Sequence, residues 1–133
     1  MKKIIYTIAF DLDNTLCISI RKNHPEDILK LKPIKKILNI IKELKKHGHE
    51  IVIFTSRDTC DKNARKLTEQ WLKKYKIPYN KLITNKPHYD ILIDDRVFNP
   101  HQSSFINSRR IELECKWIRK NIIKNTYRPR RSK

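Results

Sequence analysis

Seven consecutive residues, Phe10-Asp11-Leu12-Asp13-Asn14-Thr15-Leu16, indicate how this chain folds, because they join an apolar segment to a pair of acids. The preceding segment, Lys3 to Phe10, is rich in β-branched side chains and predicts a buried strand. Asp11 and Asp13 lie two residues apart, so the two-residue period of a strand turns both carboxylates to the same side. Such a pair can serve as nucleophile and general acid.

Segments with helical and strand patterns alternate along the rest of the chain. Strands that are separated by helices imply crossover connections and a parallel sheet covered on both faces. We therefore predict an α/β fold with a Rossmann-like, doubly wound parallel sheet. The predicted helices are 33–48, 64–75 and 105–124, with Gly48 as the cap of the first, and the further predicted strands are 51–55, 81–84 and 89–93.

Polar residues follow the predicted strands at the point where each strand ends. Ligands of parallel sheets bind beyond the carboxyl ends of the strands, so we expect these side chains to meet at one edge of the sheet. The residues concerned are Asp11, Asp13, Thr55, Ser56, Asp94 and Asp95.

This set of residues suits the chemistry of a phosphate monoester. A carboxylate that attacks phosphorus is repelled by the anionic phosphoryl oxygens unless a divalent cation with oxygen ligands offsets their charge. Asp94 and Asp95 can supply such ligands. Thr55 offers a hydroxyl to a phosphoryl oxygen, and Lys86 can balance the charge that spreads over these oxygens during transfer.

Four segments in order resemble the motifs of haloacid dehalogenase-like (HAD) phosphatases. They are the acid-containing stretch 10–16, the strand 51–55 that ends in Thr55, the pair Lys86-Pro87, and the strand 91–93 followed by Asp94-Asp95. The resemblance covers roughly residues 4–99 and implies a magnesium-dependent hydrolase that works through an aspartyl phosphate.

The resemblance also assigns roles to individual residues. Asp11 is the implied nucleophile, and Asp13 protonates the leaving oxygen and then activates water. The implied Mg²⁺ ligands are the Asp11 carboxylate, the Asp13 backbone carbonyl and the Asp94 carboxylate, while Asp95 either ligates the ion or lies beside a ligand. Candidate substrate contacts are Ser56, Arg57 and Arg96.

Two local features depart from the commonest family pattern. Asn14 stands where glycine is frequent, and Lys86 precedes Asp94 by only eight residues. The second feature points to a compact subgroup. The stretch 86–90 resembles small sugar-phosphate or capsule-related phosphatases, and 93–96 resembles the phosphatase half of phage polynucleotide kinases. The interval 17–32 is too short for a folded cap domain, so we expect an open site.

The net charge of +17 leaves two interpretations open. It favours nucleic acid as a partner, but 21 lysines and 21 isoleucines beside one glycine are also what an AT-rich coding sequence produces. The substrate is accordingly predicted to be a small phosphorylated metabolite such as a sugar phosphate or nucleotide, with nucleic-acid end processing as the alternative. A non-catalytic nucleic-acid-binding protein is the second alternative.

Composition also predicts the setting of the protein. We expect one domain over residues 1–126 and a basic, disordered tail over 127–133. The three scattered cysteines indicate no disulfide framework and favour a reducing, cytoplasmic location. No apolar run reaches the ~18 residues that span a bilayer, so no membrane partner is expected, and the oligomeric state stays open.

Aromatic and histidine side chains are predicted to have structural roles. Trp71, Tyr75 and Trp117 recur at helical spacing, which is more typical of core residues than of base-stacking platforms. The five histidines lack the spacing of metal ligands, so a surface position is expected for each.

Overall fold

The computed structural model describes residues 3–18, 25–59, 62–101 and 106–121. The chain divides into two compact units, Met1–Asp90 and Ile91–Lys133. The prediction of one domain over residues 1–126 stays a prediction, and the proposed tail at 127–133 lies outside the described residues.

A parallel sheet forms the centre of the first unit. Its strands are β1 (Thr7–Phe10), β2 (Glu50–Phe54) and β3 (Lys81–Ile83), in the order β1-β2-β3. This arrangement confirms the predicted α/β fold with a parallel sheet. β1 begins four residues later than predicted, since its pairing with β2 starts at Thr7 and the preceding Ile4 and Ile5 are exposed.

Three α-helices lie in the described part of the chain: α1 (Lys35–Lys46), α2 (Ala64–Lys74) and α3 (Ser108–Asn121). Short 3₁₀ helices occupy Pro25–Lys30 and Arg57–Thr59. The apolar faces that the helical patterns predict in α1 and α2 are buried, because one side of each helix contributes to the core of the first unit. The buried residues are Ile37, Ile40, Ile41 and Leu44 in α1, and Ala64, Thr68, Trp71 and Leu72 in α2.

Both helices of the first unit end in a left-handed residue. Gly48 adopts φ 90° after α1, as its predicted capping role requires, and Lys76 adopts φ 52° after α2. In each case the next residue donates its N–H across the helix end, from His49 to the Leu44 carbonyl at 3.1 Å and from Ile77 to the Leu72 carbonyl at 3.0 Å. Glycine carries no penalty in this conformation, but lysine does.

Residues 89–93 and His49 also differ from their sequence predictions. Residues 89–93 do not form the expected strand: no strand pairs with them within the described ranges, and Ile93 is 92% exposed. An apolar run becomes a strand only when a neighbour accepts its backbone hydrogen bonds. His49 is buried rather than on the surface, because its Nδ1 accepts the Tyr6 N–H at 3.1 Å beside the sheet.

The described part of the second unit consists of an irregular segment, 91–101, and α3. Asn107 caps α3: its side-chain oxygen accepts the Arg110 N–H at 2.8 Å. The predicted helix 105–124 is confirmed over Ser108–Asn121, and residues 105 and 122–124 lie outside the described ranges. None of the helices in the described ranges is long and apolar enough to cross a membrane.

Candidate active site

A small pocket of the first unit brings five of the predicted site residues together. Its volume is about 190 Å³. The predicted residues that line it are Asp11, Asp13, Thr55, Ser56 and Lys86, and the remaining lining residues are Pro87, His88 and Tyr89. The expectation that residues after β1 and β2 meet at one edge of the sheet is met for this group, and the chemical roles of its members stay predictions.

The turn after β1 places the two acids. The buried carbonyl of Leu12 accepts the N–H groups of Leu16 and Cys17, at 2.9 and 3.1 Å, which folds the chain tightly around it. Asn14 has φ 64° within this turn. Asparagine tolerates the left-handed conformation better than other residues with a side chain do, which explains how Asn14 fills a position where glycine is frequent.

Asp11 presents its carboxylate to the pocket. One oxygen, Oδ2, accepts a long hydrogen bond of 3.4 Å from the Thr15 hydroxyl. The other, Oδ1, lies 3.8 Å from the Lys86 ammonium, an ion pair without a short hydrogen bond. The side chain is 40% exposed, so an incoming substrate can reach it.

Lys86 is held at the pocket by its backbone and by two aromatic rings. Its N–H donates to the Thr55 carbonyl at 3.1 Å, and its ammonium lies 5.1 Å from the ring centroids of both Phe54 and Tyr89. Ring faces attract a cation without neutralising it. These contacts hold the Lys86 ammonium on the side of the pocket where Asp11 lies.

Thr55 follows β2 and is almost fully buried. Its N–H donates to the Ile83 carbonyl at 2.8 Å, which continues the pairing of β2 with β3 by one residue. The pairing fixes the backbone of Thr55 at the edge of the pocket, next to Ser56.

The buried side chain of Arg57 binds the carboxylate of Asp13. The Nε and Nη2 atoms donate to the two carboxylate oxygens of Asp13, both at 2.9 Å. Arg57 is only 4% exposed, whereas the Asp13 side chain is 27% exposed. A guanidinium that binds both oxygens of a carboxylate fixes its plane as well as its position.

Arg57 itself rests on α2. Its Nη1 donates to the Thr68 hydroxyl at 3.1 Å, and its guanidinium lies 6.0 Å from the centroid of the Trp71 ring. Its Nη2 also approaches the Cys17 sulfur at 3.6 Å. Sequence reasoning missed Thr68 and Trp71 as supports of the site. Their three-residue spacing indicates one face of a helix, but nothing in it indicates which side chain they support.

The other predicted site residues belong to the second unit. The Asp94 side chain accepts the Arg96 N–H at 2.8 Å, and Asp95 lies 3.7 Å from Nε of Arg96. These are local contacts within an irregular segment. The proposed metal roles of Asp94 and Asp95 and the substrate role of Arg96 stay predictions.

The donor atoms of the pocket fit a hard divalent cation. The accessible carboxylate of Asp11 is an oxygen ligand of the kind that Mg²⁺ prefers. Both carboxylate oxygens of Asp13 are engaged by Arg57, so its side chain is poorly placed to ligate a metal. This agrees with the expectation that Asp13 would contribute its backbone carbonyl instead.

Comparison with known proteins connects this geometry to a family. A model described as the polynucleotide kinase PNKP phosphatase domain, of HAD type, matches residues 6–104. A Vibrio cholerae protein of known crystal structure is 27% identical, with a TM-score of 0.64 over 85% of this chain and 98% of its own. A search of curated proteins found no match.

Two structures of RNA-repair assemblies contain a chain with the same fold. In a Pnkp1/Rnl/Hen1 complex the matching chain is 17% identical with a TM-score of 0.53, over 93% of this chain and 36% of that one. In a Pnkp1/Rnl/Hen1 RNA repair complex the matching chain is 17% identical with a TM-score of 0.51, over 89% of this chain and 32% of that one. This chain spans about a third of the length of those proteins, and at this identity the likeness shows the fold alone.

Proposed function

Because the chain belongs to the family of polynucleotide kinase phosphatase domains of HAD type, we propose that it is a magnesium-dependent phosphatase that removes a terminal phosphate from a nucleic acid. The observation that carries the proposal is the meeting of Asp11, Asp13, Thr55 and Lys86 in one pocket. Family membership supports phosphatase chemistry, and the size of the pocket and the charge of the chain support the choice of substrate.

The reaction uses the two acids in sequence. The reaction begins with Asp11 ionised and with a proton on Asp13. A carboxylate oxygen of Asp11 attacks phosphorus in line, the bond from phosphorus to the ester oxygen breaks, and Asp13 donates its proton to that leaving oxygen. Water then attacks the aspartyl phosphate and gives its proton to Asp13. The products are an alcohol and inorganic phosphate, and both acids return to their starting states.

Arg57 supports proton transfer by Asp13, because it keeps the Asp13 carboxyl group in one orientation. A general acid must lie within about 3 Å of the oxygen that it protonates, so a freely rotating carboxylate would be in place only part of the time. The two hydrogen bonds of 2.9 Å from Arg57 remove that freedom.

Positive charge around the pocket offsets the charge of the phosphoryl group. The Lys86 ammonium and the Thr55 hydroxyl, which line the pocket, would interact with phosphoryl oxygens, and donors arranged in advance stabilise the transition state. Asp11 and the Asp13 carbonyl would hold Mg²⁺, which when bound supplies the charge that lets a carboxylate approach an anionic ester.

The size of the pocket favours a large substrate that binds mostly outside it. At about 190 Å³ it is smaller than the roughly 300–1,000 Å³ of pockets that enclose whole small ligands. It admits a phosphoryl group and its nearest atoms, and the rest of the molecule must lie on the surface. A strongly basic chain, with a net charge of +17, suits a polyanion there.

The test compares turnover of substrates that share the phosphate and differ in what carries it. Oligonucleotides phosphorylated at the 3′ or the 5′ end, sugar phosphates, mononucleotides and an aryl phosphate are assayed for released phosphate with Mg²⁺. The matched control is Asp11→Asn, purified in the same way, which keeps the size of the side chain but cannot form the acyl phosphate. We expect an oligonucleotide end to give the highest kcat/KM.

Each other outcome has a definite meaning. A sugar phosphate or mononucleotide as the best substrate would replace the nucleic-acid proposal with the small-metabolite interpretation. Equal turnover by wild type and Asp11→Asn would show that a contaminant acts, and the phosphatase proposal would be withdrawn in favour of a non-catalytic binding protein.

A further inference from the structure

The solvent-facing side of α3 carries an exposed tryptophan. Trp117 is 57% exposed, in contrast to its predicted core position, and Leu113 is 47% exposed. The other tryptophan behaves differently: Trp71 is fully buried, and its indole N–H donates to the Leu31 carbonyl at 2.7 Å. Single exposed apolar residues are common, so the significance of Trp117 depends on its neighbours.

Helical spacing places two cations next to this ring. Leu113 and Trp117 are four residues apart and lie on one side of α3, and Lys116 and Lys120, also four apart, lie along one edge of that pair. Both lysines are exposed, and they are separated by one helical turn, about 6 Å along the axis. The buried residue Ile111 lies on the opposite side of the helix.

The amino-terminal half of the same face adds positive charge. Arg109 and Arg110 are exposed, and the two acids nearest this side of the helix are Glu112 and Glu114, one at each edge, against four cations. Glu114 lies 2.9 Å from the Nη2 atom of Arg110, so its charge is offset within the pair. The face therefore combines an accessible indole ring with a net positive charge. We call the residues Arg109, Arg110, Leu113, Lys116, Trp117 and Lys120 the α3 face.

We propose that the α3 face binds single-stranded nucleic acid, with an unpaired base stacked on Trp117 and phosphates bound by the two neighbouring lysines, Lys116 and Lys120. Every base offers a π-face to an aromatic ring, and a positively charged surface follows the backbone. The pairing of one flat ring with nearby cations matches the alternation of base and phosphate along a strand. The chain also adds five basic residues and no acid after Asn121.

This inference rests on the proposed function, since an enzyme that acts on the end of a strand needs a surface that holds the strand. It deepens that proposal by selecting an unpaired strand over a duplex, whose bases are not free to stack on Trp117. Binding and turnover are measured separately, so either proposal can fail while the other stands.

The experiment measures binding of a fluorescent, unphosphorylated oligothymidine of about 15 nucleotides by anisotropy, without Mg²⁺. Trp117→Ala should weaken binding by about 5- to 100-fold, the range found when one stacked base loses its aromatic partner. Trp117→Phe keeps a ring and should recover most of the affinity. A blunt duplex of equal length should bind wild type more weakly than the single strand.

The charge contribution needs a control with equal net charge. Lys116→Ala/Lys120→Ala should lower the slope of log affinity against log salt by up to about 1.4, since each phosphate contact on a single strand contributes about 0.7. The control is Lys36→Ala/Lys42→Ala, which removes two exposed lysines from α1. This variant should retain the wild-type slope.

Three results would overturn the inference. Equal affinity of wild type and Trp117→Ala would remove the stacking role. Equal slopes for the two lysine pairs would show that only overall charge matters. Competition by polyglutamate at the same charge concentration as the oligonucleotide would show an unspecific anion surface. Aryl phosphate turnover by wild type tests the proposed function independently.

Discussion

Replacing Arg57 by lysine tests whether this side chain positions Asp13 or contacts the substrate, as the sequence suggested. Lysine keeps the positive charge but donates as a point charge, so it cannot bind both oxygens of Asp13 in one plane. The substitution also removes the bond to the Thr68 hydroxyl and the stacking over Trp71.

The cost to stability follows from burial. Breaking a buried ion pair costs about 3–5 kcal/mol when one charge is left without a partner. Asp13 is 27% exposed, so water can solvate part of its charge, and Arg57→Ala should cost about 2–3 kcal/mol. Arg57→Lys should cost about 1–2 kcal/mol because one ionic contact remains. The control Arg110→Lys changes an exposed pair with Glu114 and should cost less than about 1 kcal/mol.

The effect on catalysis separates the two roles. A misplaced general acid should lower kcat by about 100-fold on an ester with a poor leaving group, within the range of 10²–10⁴ for acid–base catalysis. An aryl phosphate needs little protonation as it departs, so its kcat should fall much less. Denaturant titration of each variant gives the stability, and steady-state kinetics on both substrates give kcat and KM.

Two outcomes would refute this reasoning. Turnover of the ester within twofold of wild type would show that the ion pair does not position Asp13. A rise in KM with unchanged kcat, equal on both substrates, would show that Arg57 contacts the phosphoryl group, as sequence reasoning proposed.

Four further predictions address the pocket, the metal, a helix end and a thiol. Lys86→Gln should lower kcat by about 10²–10³-fold, because it removes the cation that faces Asp11; a change in KM alone would contradict this role. Chelation should abolish phosphate release, Mg²⁺ should restore it and Ca²⁺ should not, because Ca²⁺ prefers more ligands at longer distances; turnover in excess chelator would exclude the metal. Lys76→Gly should raise the free energy of unfolding by about 0.5–1 kcal/mol, measured by thermal unfolding, because glycine adopts the left-handed backbone conformation without strain. The control Lys73→Gly, within α2, should lower the free energy of unfolding by about 1 kcal/mol. Burial raises the pKa of the Cys115 thiol, so a smaller fraction of it is thiolate at a given pH. Its alkylation, measured by mass spectrometry of the Cys115 peptide, should therefore require a higher pH in the folded protein than in an unfolded control. Identical pH profiles for the folded and unfolded protein would contradict the burial of Cys115.

Local sequence patterns predicted much of the first unit. Runs of β-branched residues and a helical period of 3.6 located β2, α1 and α2 to within a residue or two, because both patterns reflect burial of one side of an element. The rule that ligands lie beyond the carboxyl ends of parallel strands brought Asp11, Asp13, Thr55 and Ser56 together correctly. These inferences needed no knowledge of the neighbours of each element.

The same patterns failed where the secondary structure or the burial of a residue depends on distant parts of the chain. The apolar run 91–93 has the composition of a strand, yet a strand also needs a partner for its backbone, and the structure describes none there. His49 is polar by composition but buried, because the Tyr6 N–H provides a donor for its ring. Neither the lack of a strand partner for 91–93 nor the hydrogen bond to His49 leaves a signal in the local sequence.

The sequence by itself determined the order of strands and helices from β1 to β3 and the acids that follow β1, because periodicity and strand-end chemistry are properties of short segments. Only the tertiary structure decided that Arg57 binds Asp13, 44 residues away in the chain. It alone also distinguished Trp71, buried under that arginine, from Trp117, exposed among lysines, although both lie at helical spacing. The physical reason is that burial and ion pairing are set by which surfaces meet after folding, and a one-dimensional pattern records only which surfaces are able to do so.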